Sequence, residues 1–481
     1  MEHNRYRTNR LDYDAIIIGS GPNGLAAAIE LARSGKSVLV LEGASVIGGS
    51  TRSAELTLPG FTHDICSTVA SLATSSPFLQ SVPLSKFGCE LIQPPAPFAH
   101  PFDDGTAAAV YRSVEKTAEK LGVDREAWES LFRPFVQAWP ALAPTLLSPP
   151  RWPRAPLTTL RFGLKALRSA SGLANAQFKT RDAKALFAGA AAHAILPLNW
   201  TASGAFGLVL TCNAHADGWP IVRGGMQKLA NAMAGYFRSL GGTIETNRPI
   251  ASLDELPPAN IVMCDIGPPQ LVRLAGNRMP AHYRKRLEQF RYGPGAFKID
   301  WALSEPVPWR AAACREAGTI HLGGTLEELE ESEAAAWAGK YCERPYVLFV
   351  QPSLFDSTRA PAGKHTAWAY CHVPHGSVAD RTEAIERQVE RFAPRFRQTI
   401  LARHTMNTTA LEGYNPNLVG GDVTGGAQIL SQIFTRPVAS LVPYGTAMKG
   451  VYLCSASTPP GGGVHGMCGY HAARAALKRF A

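Results

Sequence analysis

One stretch constrains the fold more than any other: DYDAIIIGSGPNGLAAAIELARSGKSVLVLEG, Asp12 to Gly43. The run Ala15-Ile16-Ile17-Ile18 stops at Gly19, and Gly19, Gly21 and Gly24 then stand in G-x-G-x-x-G spacing before an alanine-rich segment. That order is strand, turn, helix. Gly19 serves the tight turn, Gly21 lets backbone N–H groups approach a pyrophosphate, and Gly24 lets the helix pack on the strand. Pro22 and Asn23 stand between these glycines and fall within reach of the same nucleotide. The helix is predicted over 23–34, Gly35 suits a left-handed C-terminal cap, and a strand over 37–41 delivers Glu42 and Gly43. Glu42 falls 23 residues after Gly19, where an acid meets a ribose hydroxyl. An acid there argues against a ribose 2′-phosphate, so the expected ligand is FAD or NAD.

At 481 residues the chain has room for two or three domains, and 46% hydrophobic against 18% charged residues describes a folded protein with large cores. The polar opening MEHNRYRTNRLDYD leads directly into the first strand, so the apolar run after it reads as nucleotide fold and not as a signal peptide. The expected location is the cytoplasm. No stretch offers about 18 uninterrupted apolar residues; the nearest, 183–198, contains Lys184, His193 and Pro197. The nine cysteines include no C-x-x-C pair, which excludes a zinc ribbon or dithiol couple and suits a reducing compartment. His372 and His375 are three apart with no motif to complete a site, so no metal is expected.

The formal charge of +10 is uneven. Between Ser148 and Phe187 stand eight basic residues (Arg151, Arg154, Arg161, Lys165, Arg168, Lys179, Arg181, Lys184) against one acid, Asp182. Leu160, Leu164 and Leu167 share a helical face beside Arg161, Lys165 and Arg168, the layout of a helix at a lipid interface or of a solvated cap helix. This makes 151–184 the expected peripheral contact with the inner membrane face. No base-reading motif accompanies the charge, so nucleic acid is not an expected partner.

Beyond Glu42 come Val46-Ile47-Gly48-Gly49-Ser50-Thr51-Arg52 and Pro59-Gly60-Phe61-Thr62-His63-Asp64; then Val222-Arg223-Gly224-Gly225-Met226 and Gly241-Gly242-Thr243-Ile244-Glu245; and last GVYLCSASTPPGGGVHGMCGYHAARAALKRF, Gly450 to Phe480. With these residues the chain resembles the phytoene desaturase-like FAD-dependent oxidoreductases over nearly its whole length. The resemblance selects FAD over NAD. It implies that Gly48, Gly49, Ser50 and Thr51 run alongside the pyrophosphate and that the backbone at Ile250 faces the adenine. It also implies that Ser455, Gly463, Val464 and His465 lie at the flavin, where a helix N-terminus favours the anionic reduced ring. Ser50 stands where many carotenoid desaturases have arginine, and Ser455, Ser457 and Pro459 replace their C-terminal loop. The sequence is similar to the broad bacterial branch, and phytoene itself is not inherited as substrate.

No second βαβ unit with a G-x-G-x-x-G turn and an acidic terminus occurs, since the spacing at Gly461 to Gly466 is followed by the last helix alone, so a built-in NAD(P)H site is not expected. The expected architecture is α/β: a discontinuous Rossmann-type FAD domain (12–100, 218–289, 445–481) with an inserted α+β substrate domain (101–217, 290–444). His465 either donates to a flavin carbonyl or substrate, or only caps the last helix. Lys298 and Asp300 share one face of the strand in AFKIDWAL and either line the substrate cavity or form a salt-bridged rim. GYNPNLVGGDVTGG, Gly413 to Gly426, reads as an active-site wall, and His193, in an apolar run, as a core histidine. The leading expectation is an FAD-dependent desaturase, dehydrogenase or isomerase acting on a largely apolar, isoprenoid-like small molecule, with O2 or quinone as electron acceptor. An amine or alcohol oxidase is the second, and a non-catalytic flavin-holding interaction protein the third.

Overall fold

Short apolar segments become parallel strands only where helices cover both faces of the sheet. Ala15–Ile18, Val38–Leu41, Ile261–Cys264 and Val451–Leu453 meet that condition and are almost wholly buried. In the computed structural model, which describes residues 12–480, they join Thr243–Glu245 in a five-stranded parallel sheet. The order is 451–453, 261–264, 15–18, 38–41, 243–245, so segments far apart in sequence close one Rossmann-type domain. Residues 1–11, most of the polar opening, lie outside the described residues, as does 481. The first helix is Pro22–Arg33 and packs on the last, Met467–Phe480, so closely that a Cβ on Gly469 would strike the Asn23 carbonyl.

The inserted part is built on a seven-stranded mixed sheet. Its order is 400–406, 295–303, 365–373, 347–350, 317–322, 96–101, 107–110, antiparallel except where Ala317–Leu322 lies parallel to Ala96–Pro101. Side chains at paired positions share a face. Phe297, Ile299, Trp301, Ala367, Ala369 and Phe349 point into one core with the helix Thr382–Phe392. Lys298, Asp300, Tyr370, Trp368, Leu348 and Val350 point the other way. That second face meets a helical layer that includes Arg181–Ala191 and Gly204–Ala216.

The boundary expected after position 100 is displaced. It would cut the strand Ala96–Pro101, whose backbone pairs with the seven-stranded sheet on both sides. The change of layer comes instead between Leu91–Ile92, which pairs with Ile221–Val222, and Ala96. The apolar run 183–198 is split between the helix ending at Ala191 and a turn, and no helix among the described residues is long and apolar enough to cross a membrane.

Candidate active site

Gly19 holds a φ of +96°, which its lack of a Cβ permits. Gly21 is different. Its extended backbone suits any residue, but a Cβ there would lie 2.6 Å from Asp265 Oδ2. Asp265 follows the strand Ile261–Cys264 and accepts the Gly24 N–H at 2.9 Å, so a carboxyl group already rests against the glycine turn. Burial pushes its pKa up to about 7.

Glu42 is buried and fully engaged. Its Oε2 accepts the Ser20 N–H at 3.0 Å and the Ser20 hydroxyl at 2.5 Å; its Oε1 accepts the Ala44 N–H at 2.9 Å and Arg52 Nη2 at 3.1 Å. These four donors occupy the carboxylate's four acceptor directions. A ribose hydroxyl reaching Glu42 would have to exchange with Arg52 or the Ser20 hydroxyl. The Gly48-Gly49 element packs on the turn, since a Cβ on Gly49 would lie 3.2 Å from the Gly21 Cα. The 413–426 loop fastens it: Tyr414 donates to the Gly49 carbonyl at 2.8 Å and Asn415 to Ser50 Oγ at 3.1 Å.

From this turn a cavity of about 1510 Å³ runs into the inserted domain. Typical single-ligand pockets hold about 300–1,000 Å³, so it has room for a nucleotide and a second molecule. Gly19, Gly21, Pro22, Asn23, Glu42, Gly43, Gly49, Ser50, Thr51, Ile250, Ser455, Gly463, Val464 and His465 all border it. Gly24 and Gly48 stand behind the wall and act through packing: a Cβ on Gly24 would collide with the Gly19 carbonyl, and one on Gly48 would lie 3.0 Å from the Ala230 Cβ. Two polar atoms on this wall, Asn23 Oδ1 and Arg52 Nε, are buried with no partner among the described residues. A side-chain-free turn at a helix N-terminus, an acid, and an unpartnered guanidinium N–H fit a pyrophosphate-bearing dinucleotide.

The second chamber of the cavity is lined by the free face of the seven-stranded sheet. Lys298 and Asp300 form a buried pair at 2.5 Å, with the lysine bordering the cavity and His63 and His404 within 3.6 and 3.8 Å of the aspartate. Burial is the largest influence and opposes the charge of Asp300, but Lys298, His404 and His63 together outweigh it and the net shift of its pKa is downward. The ammonium also lies 5.1 Å from the Trp368 ring centroid. Of the two expected arrangements, cavity lining and a salt-bridged pair, both hold at once. His465 is buried; its Nδ1 accepts the Met467 N–H at 3.0 Å and its carbonyl accepts the Ser76 hydroxyl at 2.6 Å, which is the geometry of a helix cap. Burial takes its pKa down to about 4.

The 413–426 loop borders the cavity through Tyr414 to Leu418 and Val423 to Gly425. His193 is not a core residue: it is half-buried and on the chamber wall. His372 hydrogen-bonds Glu333 at 2.8 Å, and no group of three metal-ligating side chains exists among the described residues. Sequence reasoning passed over Arg52, Asp265, Trp219, His321, Trp368 and Tyr370. Asp265 alone had a local signal, an acid ending an apolar strand.

Residues 17–80 match the NAD(P)-binding Rossmann-like domain family. The chain is similar to pyridine nucleotide-disulfide oxidoreductase domain-containing protein 2 of Mus musculus, 26% identical across 97% of this chain and 94% of that one. A shorter likeness, 52% over 58 residues, or 12% of this chain and 9% of the other, is to the chloroplastic prolycopene isomerase of Daucus carota. The structure superposes on cyclohexylamine oxidase from Brevibacterium oxydans IH-35A with a TM-score of 0.60, 16% identity, and coverage of 98% and 99% of the two chains. The chain thus has a segment that matches the NAD(P)-binding Rossmann-like family, set in a fold shared with cyclohexylamine oxidase.

Proposed function

We propose that this protein is an FAD-dependent oxidoreductase, of desaturase, dehydrogenase or isomerase type, acting on a neutral and largely apolar small molecule. The observation that carries the reading is the continuity of the glycine turn and the sheet-walled chamber in one cavity. Bound flavin would supply the hydride chemistry at its N5. The chain would hold it through the Gly19–Gly24 turn, Glu42, the Gly48–Thr51 element and the backbone at Ile250. The helix opening at Met467, capped by His465, would place its positive end toward the ring.

The chamber itself orients and dries the substrate. Leu72, Phe206, Val209, Leu348 and Val350 offer apolar surface, and Trp368 and Tyr370 stack at 5.8 Å along one strand. Lys298, fixed by Asp300, holds a proton donor at the end nearest the nucleotide turn. Among the described residues the cavity's carboxyl groups, Glu42 and Asp265, lie at the glycine turn and none lines the chamber beyond it to receive an ammonium ion, which favours a neutral substrate over a protonated amine. The isomerase likeness supports an isoprenoid-like body. The amine-oxidase fold supports the second reading, an amine or alcohol oxidase, and rapid reoxidation by O2 with peroxide release would favour it.

Access and location follow from one helix. Pro156–Ala166 turns Thr159, Phe162, Gly163 and Ala166 toward the cavity while Leu157, Leu160 and Leu164 stand outward, each about 60% exposed. Arg161 and Arg168 flank them, and Phe434, 63% exposed, borders the same cavity. This surface would dock peripherally on anionic lipid and admit an apolar substrate from it.

The test is purification and reconstitution. A yellow protein with one FAD per chain is expected, and a colourless one that takes up no FAD would sink the proposal.

A further inference from the structure

The register of the seven-stranded sheet sets a row of side chains across the chamber floor. Lys298 lies opposite Tyr370, Tyr370 opposite Leu348, and Leu348 opposite His321. Adjacent strands are about 4.8 Å apart, so Lys298 and His321 stand about 14 Å apart with apolar and aromatic side chains between them. The chamber is polar at both ends. The near end adjoins the nucleotide turn; the far end serves no step described so far.

At that far end His193, from the helical layer, meets His321 with their Nε2 atoms 2.9 Å apart. One of the two nitrogens carries the proton and the other accepts it. His321 Nδ1 is buried and has no partner among the described residues. It faces the Cα of Gly189, where an added Cβ would lie 2.9 Å away. A lone pair tolerates that position far better than an N–H, because a buried unpaired donor is the costlier orphan. His321 is therefore the Nε2–H tautomer and donates to His193 Nε2. His193 must then carry its own proton on Nδ1, which makes no hydrogen bond among the described residues, and the residue borders the cavity. Burial holds both rings neutral. The Trp219 ring packs edge-on against His193 at 6.0 Å, and its own N–H is taken by Thr319 Oγ1 at 2.9 Å. That leaves the imidazole N–H and the Thr319 hydroxyl as donors at this end.

We infer that His193, with its tautomer set by His321, is a hydrogen-bond-donating subsite for a neutral oxygen acceptor, such as a carbonyl, carried by the substrate about 14 Å from the Lys298 end. The inference rests on the proposed apolar chamber, and it names the substrate class: an apolar body bearing one accepting oxygen.

Headspace partitioning tests it on the purified full chain, with 2-undecanone and undecane as probes. A neutral hydrogen bond gives the ratio of ketone to alkane affinity its size, so His193→Phe should lower that ratio about three- to tenfold while undecane uptake holds. His321→Leu, which frees the tautomer, should lower it less. Nitrogen-15 spectra of histidine-labelled protein should show one resonance pair, absent from His193→Phe, with the proton on Nδ1. An unchanged ratio in His193→Phe, or a His193 proton on Nε2, would overturn the subsite. Wild-type protein that takes up neither probe would overturn the chamber and the subsite together. Normal ketone preference in a protein that refuses FAD would sink the redox reading and leave the subsite standing.

Discussion

The cleft over the glycine turn and the chamber beyond it share one cavity but are walled by different material. The cleft is mostly backbone: Gly19, Gly21 and Gly49 contribute no side chain, and of its two acids Glu42 is tied to four donors while Asp265 is held by the turn's own amide. The chamber is side chains, set in place by strand register and by an ion pair. Backbone walls are intolerant of any added atom, whereas side-chain walls can be refitted, so the first end should accept one ligand and the second should accept whatever its residues are changed to fit.

The largest effect should come from adding atoms to the cleft. Gly21→Val places carbon against Asp265 and fills the pyrophosphate position, so FAD uptake should vanish and the melting temperature should fall, read by flavin absorbance and thermal melting. A variant that stays yellow at full occupancy would place the cofactor elsewhere. On the chamber side, Lys298→Met strands Asp300 without its cation and should cost about 3–5 kcal/mol in denaturant titration. Lys298→Met with Asp300→Leu should recover most of that; no recovery would mean that the pair is not what holds this wall. Returning to the cleft, Glu42→Gln should weaken FAD by about 1.5–3 kcal/mol without abolishing it, measured by fluorescence titration. The smallest change concerns the outer wall. Arg161→Gln should weaken co-sedimentation with anionic vesicles by about 1 kcal/mol, and salt should weaken it in wild type too. Salt-independent binding would break the link between chamber and lipid.

The same contrast explains what could be read from the residues in order. The cleft was legible because its parts are local: three glycines, a helix and an acid follow one another within a single βαβ unit. The alternation in AFKIDWAL likewise put Lys298 and Asp300 on one face, as observed. Nothing local, however, announces that His193 meets His321, because 128 residues separate them and only packing of the helical layer on the sheet joins them. An apolar neighbourhood also fails to distinguish a core from the wall of an apolar chamber, and His193 was misplaced for that reason. The strand Ala96–Pro101 was hidden by Pro97 and Pro101, which in sequence argue against a strand inside a sheet.

The carboxyl group under the glycine turn would tie the proposed nucleotide's affinity to acidity. Asp265 keeps its proton to about pH 7 in the folded protein, well above the ordinary carboxylate value, because burial and the nearby Glu42 disfavour its charge. A folded pKa raised in this way adds stability at low pH and loses it as the pH climbs from about 4 toward 7. A pyrophosphate brought to the same amides adds negative charge beside the group and raises its pKa further. Binding should therefore draw a proton from solvent near and above pH 7, and affinity should fall as the solution turns alkaline. Titration calorimetry in buffers of different ionisation enthalpy counts that proton directly, and Asp265→Asn should abolish it.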